Sequence, residues 1–229
     1  MTLLHTVERG EICRIGRSLF ERGYVHATAG NISVRLPDGH GFLITPTDAC
    51  LGFLEPAQLS HVDIEGHAVG GERASKTLAL HRRIYAAEPS ANCVVHTHST
   101  HAVALTMTGA LATDSNDDAL PPITPYFVMK VGHVPLIPYH RPGDPAVARF
   151  VADRIALQHE RGVPIRAVLL ERLGPLVWHE SPAAAMATLE ELEETARLWL
   201  MSGATSGTKP APLSAAQIEE LRATFGARW

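Results

Sequence analysis

Apolar positions at helical spacing open the chain. In VERGEICRIGRSLFERG (7–23), Ile12, Ile15, Leu19 and Phe20 fall near one stripe among charged neighbours, and Gly23 can close the turn. The pattern then shifts towards strands. NISVRL (31–36) and GFLITP (41–46) flank PDGH, which predicts a hairpin around an Asp-Gly turn. SKTLALHRRIYAAE (75–88) predicts a helix with Ser75 near its start and Lys76 in its first turn, stopped by Pro89. ANCVVHTHS (91–99) and HVPLIPY (133–139) read as strands, and DPAVARFVADRIALQHERG (144–162) as a helix closed by Gly162. IRAVLLERLGPLVW (165–178) is a strand pair or one bent strand. SPAAAMATLEELEETARLWLMSG (181–203) is a long helix with Ser181 as N-cap and Pro182 at its first position. Helices that alternate with short, turn-bounded strands predict an α/β sandwich around a mixed, largely antiparallel sheet.

A compositional break follows. Residues 202–213 (SGATSGTKPAPL) are small and Pro-rich, which predicts a linker. SAAQIEELRATFG then carries a Ser214/Gln217 capping box and predicts a short C-terminal helix within 214–229. The expected organisation is a domain over 1–201, the linker, and that helix.

The totals narrow the function classes. The 229 residues suffice for a sizeable core, and 45% hydrophobic with 19% charged residues is a globular composition. A net charge of -4 argues against nucleic acid or an anionic membrane as the main partner. The first residues carry charges too early for a signal peptide, and no apolar run is long enough to span a bilayer. Three scattered cysteines, Cys13, Cys50 and Cys93, suit a reducing compartment, so a cytoplasmic location is expected.

The chemistry concentrates in CVVHTHSTHA (93–102). His96 and His98 stand two apart on a predicted strand, so both rings point to one side and can share a divalent ion. His101 falls past the strand and is read as a local cap. HATAGNIS (26–33) and LITPTDA (43–49) are small, hydroxyl- and amide-rich turns that can cradle a phosphate. Each of these two turns taken alone reads first as an ordinary loop. No Walker loop and no GxGxxG is present, so nucleotide binding has no support. Lys76 could accompany an anionic intermediate or move a proton, and His81 reads as a packed helix histidine.

AGNIS, FLITPT, ASK with LHRRIY, VVHTHS, PY with PGD, and LLERLGPLVW stand in the order of the class II aldolase/adducin family, which the chain resembles over about residues 5 to 200. The resemblance implies a three-layer α/β/α sandwich and a homotetramer with active sites at subunit interfaces. It also implies a divalent metal, zinc or else manganese or cobalt, and a phosphorylated sugar-like substrate. By position it assigns His96 and His98 to the metal. Thr28, Gly30, Asn31, Thr47, Asp48 and Ser75 go to the phosphate region, and Tyr126 to a neighbouring subunit's site. Two departures stand out. Lys76 replaces the acid/base carboxylate of the aldolases, which looks like the branch that decarboxylates 3-oxo-tetronate 4-phosphate to dihydroxyacetone phosphate. Leu173 replaces the third histidine ligand before Gly174. His140, His179, His101 and Glu171 are the candidates to complete the site, with His140 preferred. The alternatives are a sugar-phosphate aldolase or epimerase and, from another class, a non-catalytic adducin-like binding module.

Overall fold

The computed structural model describes residues 4–107, 118–206 and 208–229, with the side chains of 205 and 206 left aside. Residues 108–117 of the expected domain and residue 207 of the expected linker therefore lie outside the described residues.

An eight-stranded sheet forms the middle layer, in the order β4-β3-β2-β1-β5-β8-β7-β6. Its strands are β1 (Asn31–Arg35), β2 (Gly41–Ile44), β3 (Ser60–Asp63), β4 (Ala68–Gly70), β5 (Cys93–His96), β6 (Leu136–Ile137), β7 (Ala167–Leu170) and β8 (Gly174–His179). Among the described residues only β6 and β7 pair in parallel. The β1–β2 hairpin stands where the sequence predicts it, and of the two forms left open for residues 165–178 the antiparallel strand pair β7–β8 is the one formed.

Successive strand residues feed two cores, because side chains alternate across a sheet. Cys93, Val95, Leu169 and Val177 join Ile12, Ile15 and Leu19 of α1 (Thr6–Glu21), Leu105 of α3 (Thr100–Met107) and Leu189 of α5 (Pro182–Ser206). Val94, Val168, Leu176 and Trp178 join Ile84 of α2 (Leu78–Ala87) and Val151 of α4 (Pro145–Glu160). With both faces covered, the fold is the expected three-layer α/β/α sandwich. α4 starts where Asp144 accepts a hydrogen bond from the Ala146 N–H at 2.9 Å, with Pro145 at the first position. α6 (Ala215–Phe225) begins on the Ser214/Gln217 capping box, and its Leu221 packs on Val128 of a π-helical turn at Phe127–Val131.

Three local expectations change. α2 starts at Leu78, so Lys76 lies on the turn before the helix. That turn is pinned elsewhere: the Ser75 N–H donates to Thr45 O at 3.1 Å, and the Ser75 and Thr77 hydroxyls bond to each other at 2.9 Å. β5 stops at His96, so His98 stands beyond the strand end. α5 runs to Ser206, into the segment expected to be linker; the Ser202 hydroxyl donates back to Leu198 O at 2.8 Å, and alanine at 204 favours helix. Among the described residues no helix is long and apolar enough to cross a membrane.

Candidate metal and substrate site

The site forms where β5 ends. Two glycines let the neighbouring chain approach it. A Cβ on Gly30 (φ +86) would lie 2.8 Å from His96 O, and one on Gly174 (φ +103) would lie 2.6 Å from Thr97 O. Gly30 therefore acts here through close packing.

His96 is buried, and its Nδ1–H donates to Pro175 O at 2.9 Å. A carbonyl can only accept, so this bond fixes the tautomer and leaves the Nε2 lone pair unspent. Burial, with His98 beside it, pushes the ring pKa down to about 3, so it is neutral near pH 7. The His98 ring lies 4.9 Å from that of His96, centroid to centroid, despite standing past the strand. Its pKa is lowered by burial and then by His26. His26 is thus a third imidazole near the site that the sequence reading passed over.

Both rings line a cavity of about 160 Å³ with Asn31, Lys76, Arg141 and Leu173. Leu80 of α2, Val147 of α4 and Leu170 of β7 make the rest of its wall largely apolar. Lys76 is exposed at the rim, its Nζ 3.9 Å from the Asp48 carboxylate. Asn31 is oriented by a buried chain of hydrogen bonds. His81 Nε2–H donates to Asn31 Oδ1 at 2.6 Å, and Ser33 Oγ joins His81 Nδ1 at 2.7 Å and the Tyr85 hydroxyl at 2.8 Å. With its oxygen engaged by His81, the Asn31 amide keeps its NH₂ donors for other partners.

The turn after β5 is held from across the molecule. Buried Glu193 of α5 accepts from the Ser99 hydroxyl at 2.6 Å, the His101 N–H and Nδ1–H at 2.8 Å each, and the Ala102 N–H at 2.9 Å. It caps α3 and binds His101, which stands in the first turn of that helix on a distant carboxylate instead of capping locally as expected. No local sequence signal couples residues so far apart.

Of the remaining sequence-predicted residues, Thr28, Thr47 and Ser75 lie on the turns around the site but not on the cavity wall, and Tyr126 is exposed away from it. His140 is not brought to the pair. Its Nδ1–H donates to Pro138 O at 2.7 Å and its ring lies 5.0 Å from that of Phe150, while the next residue, Arg141, lines the cavity. His179 accepts from the Glu180 N–H, and Glu171 accepts from the Tyr139 N–H. Among the described residues, the set of three acidic or imidazole ligand atoms within 4.8 Å of one another is Asp63, Glu65 and His67, on the β3–β4 turn. There Asp63 accepts from the His67 N–H at 2.7 Å, a bond that closes the turn. Those residues take no part in the cavity wall.

The profile of the Class II Aldolase and Adducin N-terminal domain family matches residues 10–200. The chain is 56% identical over 222 residues to the 3-oxo-tetronate 4-phosphate decarboxylase of Cupriavidus necator, covering 96% of this chain and 97% of that one. It is 41% identical to the Escherichia coli K12 protein of the same name, over 93% of this chain and 94% of the relative. The crystal structure of YgbL from Escherichia coli superposes with a TM-score of 0.85 at 41% identity, over 95% of this chain and 98% of that one. An L-fuculose 1-phosphate aldolase shares the fold, with a TM-score of 0.81 at 23% identity over 98% of each chain.

Proposed function

Because this chain belongs to the class II aldolase and adducin family, we propose that it is a metal-dependent carbon–carbon lyase that decarboxylates 3-oxo-tetronate 4-phosphate to dihydroxyacetone phosphate. The observation that carries the reading is that Lys76 shares one small cavity with His96 and His98. The reaction breaks the bond between C1 and C2 of the substrate. Carbon dioxide leaves, and the bonding pair spreads from C2 onto the C3 oxygen as an enediolate. A proton added to C2 completes the product. No hydroxyl proton has to be removed, so the site needs no carboxylate base. It needs positive charge beside the enediolate and an acid for C2. Lys76 takes both tasks, with Asp48 holding its ammonium in place. Arg141 adds a second cation to the wall, for a substrate with two anionic ends. The Asn31 NH₂ donors, with Thr28, Gly30, Thr47 and Ser75 around them, receive the phosphate.

Neutral imidazoles are donors that a divalent ion accepts, so His96 and His98 fit a metal. A cation held there would supply Lewis acidity towards the keto oxygen. Zinc is the ion we favour, with manganese and cobalt the alternatives. Leu173 offers no donor, which leaves the other positions to substrate oxygens or to a group from a second subunit. We further propose a cytoplasmic homotetramer, in which the exposed Tyr126 reaches a neighbour's cavity.

The test is an assay of carbon dioxide and dihydroxyacetone phosphate from 3-oxo-tetronate 4-phosphate, run on the wild type and on Lys76→Ala. The variant should lose about 10²- to 10⁴-fold in kcat. Unchanged turnover would remove Lys76 from the chemistry. Aldehyde release from a sugar phosphate without carbon dioxide would favour an aldolase.

A further inference from the structure

A second cavity lies at the other end of the same central strands. β5 and β8 pair from Cys93–His179 to His96–Leu176, so three residue steps, roughly 10 Å, separate the two ends. The cavity at the Cys93–His179 end is about 260 Å³ and is lined by Arg166, Arg228, His179, Trp178, Glu88 and Glu180, among others.

It holds two guanidiniums and two carboxylates, but neither guanidinium is paired across it. Arg166 is half-buried, and neither its guanidinium nor that of Arg228 hydrogen-bonds or ion-pairs with a described residue. Burial and then the Arg228 charge push the Arg166 pKa below its ordinary value, with Glu180 opposing. Glu88 keeps its negative charge but makes no ion pair with them, because its oxygens are bonded elsewhere. It accepts from the Ser90 N–H and hydroxyl and binds His159 Nε2 at 2.8 Å. His179 Nδ1 accepts from the Glu180 N–H at 2.9 Å, so the proton of the neutral ring sits on Nε2 as a free donor. Two adjacent guanidiniums, one partly out of water, are costly unless an anion joins them. Glu180, the other carboxylate on the wall, makes no ion pair with either guanidinium, so both keep their N–H donors for a ligand.

We propose that this cavity is a binding site for a small oxyanion of phosphate size, held between Arg166 and Arg228 with the His179 Nε2–H as a third donor. Guanidinium forks match the paired oxygens of a phosphate group. The site is separate from the His96 cavity and does not depend on the proposed reaction.

Calorimetric titration of inorganic phosphate into the full chain tests it, in an Asn31→Asp background that keeps the oxygen facing His81 and replaces the phosphate-binding NH₂ of the His96 cavity with negative charge. One phosphate per chain should bind, with a change in the emission of Trp178, which lines the site. Arg166→Gln and Arg228→Gln, each added to that background, should weaken binding about tenfold or more. Arg228 is exposed, so its replacement leaves the fold intact and keeps the test decisive if Arg166→Gln folds poorly. In an otherwise wild-type chain, either change should leave decarboxylation within about twofold, since neither residue touches the His96 cavity. Phosphate affinity indifferent to both arginines, or no phosphate bound in the Asn31→Asp chain, would overturn the proposal.

Discussion

His81 and His96 are both buried, both neutral, and both pushed down to a pKa of about 3 by desolvation. They are nonetheless built for different ends. His81 spends both ring nitrogens on the protein, one on Asn31 and one on Ser33. His96 spends one on Pro175 and lines a cavity with the other unspent. Burial and a lowered pKa therefore do not mark a ligand. The marker is a lone pair that the fold has oriented and not consumed.

Exchanging the two rings for glutamine should break the comparison most sharply. His96→Gln should lose its metal, read as ions per chain by elemental mass spectrometry on protein purified without chelators or a histidine tag. It should lose about 10³-fold or more in kcat/KM, the equivalent of several kcal/mol of Lewis-acid stabilisation. The wild type should carry close to one divalent ion per chain, and His81→Gln should still carry its metal. If His96→Gln kept both metal and activity, the unspent nitrogen would have no part in the site. If the wild type took up no zinc, manganese or cobalt, the leucine at 173 would have dismantled the site, and a binding module on an enzyme fold would be the better reading.

The next effect falls on stability and runs the other way. His81→Leu leaves Asn31 Oδ1 buried without its partner and the Ser33 hydroxyl with Tyr85 alone. Each unmet group costs about 1–3 kcal/mol, so denaturant unfolding should show a loss of about 2–4 kcal/mol. His96→Leu should cost less, because it strands only Pro175 O. Equal losses would mean that the Asn31–His81–Ser33–Tyr85 chain adds nothing.

How far the sequence reached follows the same division. The period of two in VVHTHS was enough to pair His96 with His98, although the strand ends between them. The alternation of the strands gave the sheet its two covered faces, because strands buried on both sides read as nearly continuous apolar runs. Lys76 was legible as a residue type but not in its place, since the Ser75 N–H is tied to Thr45 O and the helix starts only at Leu78, whose N–H donates to Ser75 O. Glu193 was invisible because it meets Ser99 and His101 only after α5 folds over the sheet. Arg141 was missed beside His140 because a loop carries no period that tells which of two neighbours turns inward.

Acid should act on the two rings alike. Their unfolded pKa is near 6.5 and their folded values are about 3. Between those values the unfolded chain binds protons that the folded chain refuses. The stability they support is fully present above pH 6.5 and is lost as the pH falls towards 3. At pH 5 the loss is about 2 kcal/mol per ring. Unfolding free energies measured from pH 7 to 5 should fall accordingly, and the slope should be about halved in His81→Leu if that variant folds. A flat profile would mean that the rings are wetter than their burial implies.

The smallest expected effect tests the wall opposite the pair. Leu173 lines the cavity with His96 and His98 and also packs against the core shared by α2 and α4. Leu173→His would place a third imidazole on that wall and should tighten zinc by about tenfold, measured by competition with a chromophoric chelator. The same change removes an apolar side chain from a half-buried position, at a cost of about 1 kcal/mol. Decarboxylation should slow if the position that the new ring takes is one the substrate oxygens need. It should hold steady if a second subunit supplies the missing group in the wild type. Unaltered zinc affinity would place Leu173 outside the reach of the ion. The open side of the pair would then be the one facing Lys76 and Arg141.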